Sequence, residues 1–307
     1  MQSPSHILMV RPINFGFNAQ TAGSNAFQKN GGQADVQQKA LQEFDAFVGI
    51  LRANEVEVTV IEDTPQLHTP DSIFPNNWIS FHENGSVFSY PMQAENRRLE
   101  RKVFNVIKEA FQVKQVFDLS YFEQQNQFLE GTGSMVLDRE NKLAFACLSP
   151  RTDIEVLNEF CKLSGYKPIL FHATDQSGKA IYHTNVLMGI GDRFAVICLD
   201  AILDDTEKSR VKEALQLANK EIVEISLEQM NAFAGNMLQL KNKSGESLLV
   251  MSDTAFSSLK EAQTKKLKQY CKLVHSPLNT IETNGGGSAR CMMAEVFLPV
   301  KTASHQA

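Results

Sequence analysis

Residues 185–199 read NVLMGIGDRFAVICL. An apolar run (Val186–Met188) meets a turn holding Gly191 and Asp192, and a second apolar run (Phe194–Leu199) follows. Two short apolar runs about a glycine-containing polar turn read as a β-hairpin. The layout recurs in NNWISFHENGSVFSY (76–90), GSMVLDRENKLAFACL (133–148) and NMLQLKNKSGESLLVM (236–251), while CMMAEVFLP (291–299) has the first strand alone. Anchored on Asn77, Gly133, Asn185, Asn236 and Cys291, the copies are spaced by 56, 52, 51 and 55 residues. Steps this even mark an internal repeat.

A helix and one more strand fill each interval. Residues 34–54 set Ala40, Leu41, Phe44, Phe47, Val48 and Leu51 on one helical stripe. Ile154, Leu157, Phe160 and Cys161 do so in 152–163, as do Val211, Ala214, Leu215 and Ala218 in 205–218. Helices over 96–112 and 254–270 complete the set. Strands rich in β-branched residues follow each helix, at 57–63, 114–120, 167–173, 221–227 and 272–278. The orphan segment HILMVRP (6–12) supplies the strand that the unit at 291–299 lacks, which removes open sheet edges. The expectation is an α/β propeller of five-fold pseudosymmetry, with strands inside, helices outside, and the N-terminal strand closing the ring against the C-terminal one. At about 150 residues per domain, 307 residues suggest two domains. The repeat replaces that with one domain over 1–307, with a core of about 6–300 and a short tail at 301–307.

Composition narrows the partners. Thirty Lys and Arg stand against 35 Asp and Glu, a formal net charge of −5 with no basic block, which disfavours nucleic acid. No apolar run approaches a membrane span, and MQSPSHILMV lacks the basic and long apolar parts of a signal peptide. The five cysteines (147, 161, 198, 271 and 291) are scattered, odd in number and without a CxxC. This argues against a disulfide framework or zinc site and for a reducing, cytoplasmic setting.

The strongest chemical signal is NGGGSARCMM (284–293). Three glycines mark backbone that takes φ > 0 or meets close neighbours. A thiol four residues later opens a strand, where backbone N–H groups and Arg290 would favour the thiolate of Cys291. A buried packing cysteine is the competing reading, and it is the one given to the other four. A cysteine nucleophile needs a proton-transfer partner. His183, in AIYHTNVLM, opens its hairpin where Cys291 opens another, and equivalent positions of a ring converge on one axis. The same logic nominates Glu130 in FLEGTG (128–133), with Asp71 and Asn77 in PDSIFPNNW (70–78). Turn and capping chemistry explains each of these singly.

Together these motifs resemble the pentein superfamily of guanidino-group-modifying enzymes, which includes arginine deiminase, dimethylarginine dimethylaminohydrolase and amidinotransferases. The resemblance spans the whole chain. NGGGSARC resembles the segment carrying the nucleophile (Cys291), FLEGTGSMVL the acidic motif (Glu130), and YHTN the histidine motif (His183). PDSIFPNNW is similar to a substrate-facing motif, which implies Asp71, Phe74 and Asn77 as binding residues. ENRRLER and SPRTD resemble segments that bind the substrate carboxylate through Arg97 and Arg151. The branch most resembled is citrulline-utilisation hydrolases. The implied chemistry is thiolate attack on a trigonal carbon held by Glu130 and Asp71, with His183 as general acid and base. It needs no metal or cofactor, and its partner is a small amino acid, with oligomeric state left open.

Two departures bear on the substrate. Deiminases commonly carry an acid two residues after the histidine, where this chain has Asn185, and the carboxylate of the dimethylarginine hydrolase motif appears as Asn77. A guanidinium offers only donors and favours carboxylates, whereas a ureido group also offers a carbonyl, and an amide side chain serves both. The expectation is a ureido substrate such as citrulline, cleaved to ornithine, ammonia and carbon dioxide. Arginine or methylarginine deimination and amidino transfer use the same residues and stay open. A non-catalytic pentein ribosome-binding factor would need none of the Cys, His and Glu set.

Overall fold

Every expected hairpin forms, and each pairs with the strand that follows the next helix. The structure, a computed structural model, describes residues 1–32 and 35–301. The first residue of the helix expected over 34–54, and the tail after residue 301, lie outside the described residues. The strands are β1 (His6–Arg11), β2 (Glu57–Glu62), β3 (Ile79–Phe81), β4 (Ser86–Ser89), β5 (Gln115–Asp118), β6 (Val136–Asp138), β7 (Leu143–Cys147) and β8 (Lys167–Phe171). They continue with β9 (Met188–Ile190), β10 (Phe194–Ile197), β11 (Glu221–Glu224), β12 (Leu238–Lys241), β13 (Ser247–Ser252), β14 (Lys272–Ser276) and β15 (Ala294–Val296).

These strands group into five three-stranded sheets of one design: β3-β4-β5, β6-β7-β8, β9-β10-β11, β12-β13-β14 and β15-β1-β2. The first strand of each is antiparallel to the second, and the third is parallel to the second. A hairpin suffices for the first step, but the second needs a crossover, and the intervening helix supplies it. The fifth sheet joins the two ends of the sequence, with Ile7 opposite Glu295 and Leu8 opposite Ala294.

The first strands pack beside one another around the centre, β15 against β3, β6 against β9 and β9 against β12. They are buried almost throughout, whereas the third strands β5, β8 and β11 carry exposed residues. Helices cover that outer layer. Helix Val36–Ala53 buries Ala40, Phe44, Phe47, Val48 and Leu51 and packs on β2 and β14. Each buried Phe or Leu contributes about 1.5–3 kcal/mol, so a stripe of five anchors the helix firmly.

Three local expectations change. Ile154 is 39% exposed, and Val156 takes its place in the core. Asp153 caps this helix, accepting the Glu155 N–H at 2.8 Å, and Ile154 is left in the solvent-facing first turn. The segment 96–112 is broken into Glu95–Arg98, a 3-10 stretch Leu99–Val103 and Phe104–Ala110. The segment 254–270 divides into Asp253–Ser258 and Glu261–Leu267, where the Lys260 N–H turns to Gln263 Oε1 and starts a new helix. Among the described residues no helix is long and apolar enough to cross a membrane.

Candidate active site

Four of the five repeat anchors lie not in strands but in single turns that precede them. These turns are Pro75–Asn77, Gly131–Ser134, Thr184–Leu187 and Ala289–Met292. A turn at the mouth of each inner strand gathers polar side chains at one end of the ring. A cleft there is lined by Asp71, Phe74, Asn77, Arg97, Arg151, Tyr182, His183, Cys291, Asn25 and the three glycines 285–287. Of the residues nominated from sequence for catalysis or substrate binding, Glu130 alone is off the lining, fully buried against His183, while Arg290 lies behind Cys291.

Glycine is required at the cleft's edge. Gly286 has φ +63°, and a Cβ there would sit 2.5 Å from Asn25 Nδ2 and 2.6 Å from the Gln28 amide nitrogen. The neighbouring glycines let the Phe74 ring approach, since a Cβ on Gly285 would lie 2.8 Å from its Cζ.

His183 Nε2 lies 2.8 Å from Glu130 Oε2. Burial raises the Glu130 carboxyl, but Arg151, His183 and Arg97 outweigh it and hold the group well below the usual carboxylate range. Burial pushes His183 down to about 4, against the pull of Glu130. The pair at neutral pH is therefore an ionised carboxylate accepting from a neutral imidazole. Nε2 carries the proton, and the lone pair is left on Nδ1 as the basic position.

Cys291 Sγ is 3% exposed as part of its residue and meets two amides, Asn236 Nδ2 at 3.2 Å and Asn185 Nδ2 at 3.5 Å. Arg290 makes no hydrogen bond to the sulfur, although its charge interacts favourably with Cys291. Its guanidinium donates to Glu295 Oε2 at 2.7 Å and to the Met293 carbonyl at 2.9 Å. Burial pushes the thiols of Cys147, Cys161 and Cys271 up to about 12 and that of Cys198 up to about 11. Those four are free, buried thiols, consistent with packing.

Asp71 is buried, with Oδ2 accepting from Asn18 Nδ2 at 2.7 Å while Oδ1 has no hydrogen-bond partner. Burial raises its carboxyl against the opposing effect of Arg97. Both arginines are buried. Arg97 donates to Asn77 Oδ1 at 2.8 Å and pairs bidentately with Glu100 at 2.8 and 3.1 Å. Arg151 lies over the Tyr182 ring and donates to Ser24 Oγ at 2.6 Å and the Thr21 carbonyl at 3.0 Å. Glu100 and the segment 18–28 escaped the sequence reading. That segment forms a strap across the cleft through Asn18, Thr21, Ser24 and Asn25, the last donating to the Gly285 carbonyl at 3.2 Å. Its polar contacts leave no periodic trace. Asn236 did carry a signal, as the fourth repeat anchor. Among the described residues no group of three or more His, Cys, Asp or Glu is arranged to hold a metal ion.

A ring of five three-stranded sheets thus gathers a cysteine, a His–Glu pair and buried arginines at one mouth. The chain belongs to the family described as N,N dimethylarginine dimethylhydrolase, eukaryotic, whose sequence model matches residues 11–298. It is thus a hydrolase of the guanidino-modifying superfamily, built on the pentein propeller. No curated protein matches the chain. Among solved structures it is similar to the N-terminal domain of ArgZ, an arginine dihydrolase of Cyanobacteria, here a variant covalently bonded to a reaction intermediate. The TM-score is 0.75 at 17% identity, over 96% of this chain and 99% of that one. Unliganded AgrE gives 0.75 at 19% identity, over 98% of this chain and 40% of that one. A dimethylarginine dimethylaminohydrolase adduct with S-methyl-L-thiocitrulline gives 0.64 at 12% identity, over 95% and 99%. At these identities the likeness is one of fold.

Proposed function

We propose that the chain hydrolyses the bond between the ureido carbon and the side-chain nitrogen of a ureido amino acid, with citrulline giving ornithine, ammonia and carbon dioxide. The observation that carries this reading is that a neutral amide stands where a cationic substrate would favour a carboxylate: Asn185 Nδ2 lies 3.5 Å from the Cys291 sulfur. Asn77, a second amide, lines the cleft. Such a shell suits a neutral group bearing both a carbonyl and N–H donors.

The Cys291 proton passes to His183 Nδ1, and sulfur attacks the ureido carbon to form a tetrahedral adduct. The C–N bond to ornithine breaks as His183 returns the proton to the departing amine, leaving a carbamoyl group on sulfur. Water, deprotonated by His183, displaces the thiolate, and the released carbamic acid splits into ammonia and carbon dioxide. A positioned acid–base group in both halves contributes roughly 10²–10⁴ in rate. Asp71 holds the planar group by its N–H donors, an orientation effect, while Glu130, buried behind the cleft, fixes the His183 ring. Phe74 packs beside it, and Arg97 and Arg151 take the substrate's carboxylate once the strap yields its bonds to Arg151. The five unpaired thiols support a reducing compartment such as the cytoplasm.

A second reading, a guanidino substrate such as arginine, is favoured by the unpartnered buried oxygen of Asp71 and by the family's description. Ammonia and ornithine release, measured side by side from citrulline, arginine and dimethylarginine, separates the two. Ornithine from citrulline supports the ureido reading, and ammonia from arginine with none from citrulline overturns it.

A further inference from the structure

Asn236 stands at the fourth hairpin mouth, the equivalent of Asn77, Asn185 and Cys291, and the chemistry above gives it no role. It is fully buried, and its amide is tied on both sides. Oδ1 accepts the Arg290 N–H at 3.1 Å, and Nδ2 donates to the Asn185 carbonyl at 2.9 Å. The same Nδ2 lies 3.2 Å from Cys291 Sγ. These partners decide which end is which. A flipped amide would set oxygen against the Asn185 carbonyl and NH₂ against the Arg290 N–H. Two buried pairs would then face each other acceptor to acceptor and donor to donor, which fixes the assignment.

Nδ2 therefore has two N–H bonds, one spent on the carbonyl and one aimed at sulfur. A donor on sulfur favours the thiolate over the thiol, because the charged form is the better acceptor. Arg290 acts on the sulfur only through its charge, because its guanidinium hydrogen bonds go to Glu295 and the Met293 carbonyl, and His183 is held neutral by burial. Asn185 is the weaker candidate, since its Nδ2 and Oδ1 face sulfur at 3.5 and 3.9 Å without such a distinction.

We propose that Asn236 stabilises the thiolate that forms as Cys291 passes its proton to His183, steadying the sulfur from the fourth mouth through one N–H donor. This rests on the reading of Cys291 as nucleophile but not on the identity of the substrate. It also explains how a thiol could be activated for a neutral substrate, which brings no positive charge of its own.

The test is the pH dependence of Cys291 alkylation by iodoacetamide, followed by mass spectrometry of the Cys291 peptide in wild type, Asn236→Asp and Asn236→Ala. The Asp variant keeps the acceptor for the Arg290 N–H but replaces the donor on sulfur by a carboxylate oxygen. Its alkylation midpoint should rise by about one pH unit or more, which is about tenfold slower reaction below the midpoint. The Ala variant should shift in the same direction by less. A folded variant whose midpoint coincides with the wild type overturns the proposal. If neither variant folds, the ¹⁵N–¹H resonances of the Asn236 side-chain amide in the wild type decide. They should move with the ionisation of Cys291, and resonances that stay fixed through it overturn the proposal. No substrate enters either measurement, so a failure of citrulline turnover leaves this result to stand or fall alone.

Discussion

Substituting Gly133 by alanine should move the proposed catalytic base without touching its chemistry. A Cβ at Gly133 would lie 2.8 Å from Nδ1 and 2.9 Å from Cε1 of His183, and closer still to Nδ2 of Asn77. Ordinary carbon contacts begin near 3.5 Å, so the ring edge must retreat by roughly 0.6 Å or more. It cannot swing freely, because its Nε2 is tied to Glu130 at 2.8 Å. The displaced edge is the one bearing the lone pair that takes the thiol proton. A shift of this order at a reacting group costs about 10²-fold in rate. Overpacking costs about 1–3 kcal/mol of stability, which lowers the melting point by a few degrees without unfolding the chain. The assay is kcat for the turned-over substrate, paired with a thermal melt and with Cys291 alkylation as a check that the thiol survives. A Gly133→Ala protein with wild-type kcat and melting point would refute the placement of His183 or its role.

Three further outcomes follow from the same geometry. Glu130→Gln keeps shape but removes the charge that orients His183 and offsets Arg97 and Arg151, 3.7 and 3.4 Å away. It should lower kcat by roughly 10²–10⁴ and stability by about 3–5 kcal/mol, read from steady-state rates and urea melts. Acid should destabilise the fold, since His183 is lowered from 6.5 to about 4 and His82 is also lowered by burial. The unfolded chain binds these protons first, so stability present above pH 6.5 is lost as pH falls towards 4, by about 3 kcal/mol for His183 alone. Urea midpoints at pH 7 and pH 5 check this, and His183→Gln should flatten the difference. Finally, residues 6–300 should unfold as one unit, because the β1–β15 pairing ties the ends of the chain together. Circular dichroism and tryptophan fluorescence of Trp78 should then report coincident transitions, and two separated ones would contradict a single domain.

The ring was legible because its units cannot bury their own edges. HILMVRP and CMMAEVFLP were both strands without a partner, and pairing them was the only closure that the repeat offered. Equivalence of hairpin mouths likewise brought Asp71, His183 and Cys291 to one cleft from positions far apart in sequence. What stayed hidden was polar and long-range. Ser24 meets Arg151 across 127 residues, and Asn18 meets Asp71 across 53, with no apolar period to betray either. Glu100 reads as part of a solvated helix start, yet Arg97 draws it into the interior, where burial lifts its carboxyl to about 8 against the pull of that arginine. Arg290 reaches the sulfur through its charge alone, because Glu295, five residues on, takes its guanidinium hydrogen bond.

The central claim is that Cys291 becomes covalently attached to substrate. Acid quenching during turnover, followed by mass spectrometry of the intact chain and of its Cys291 peptide, tests it directly. The expected result is a carbamoyl group on Cys291 in the wild type, no adduct in Cys291→Ser, and loss of ammonia release in that variant. Full turnover by Cys291→Ser, or an adduct carried by another residue, would contradict the account.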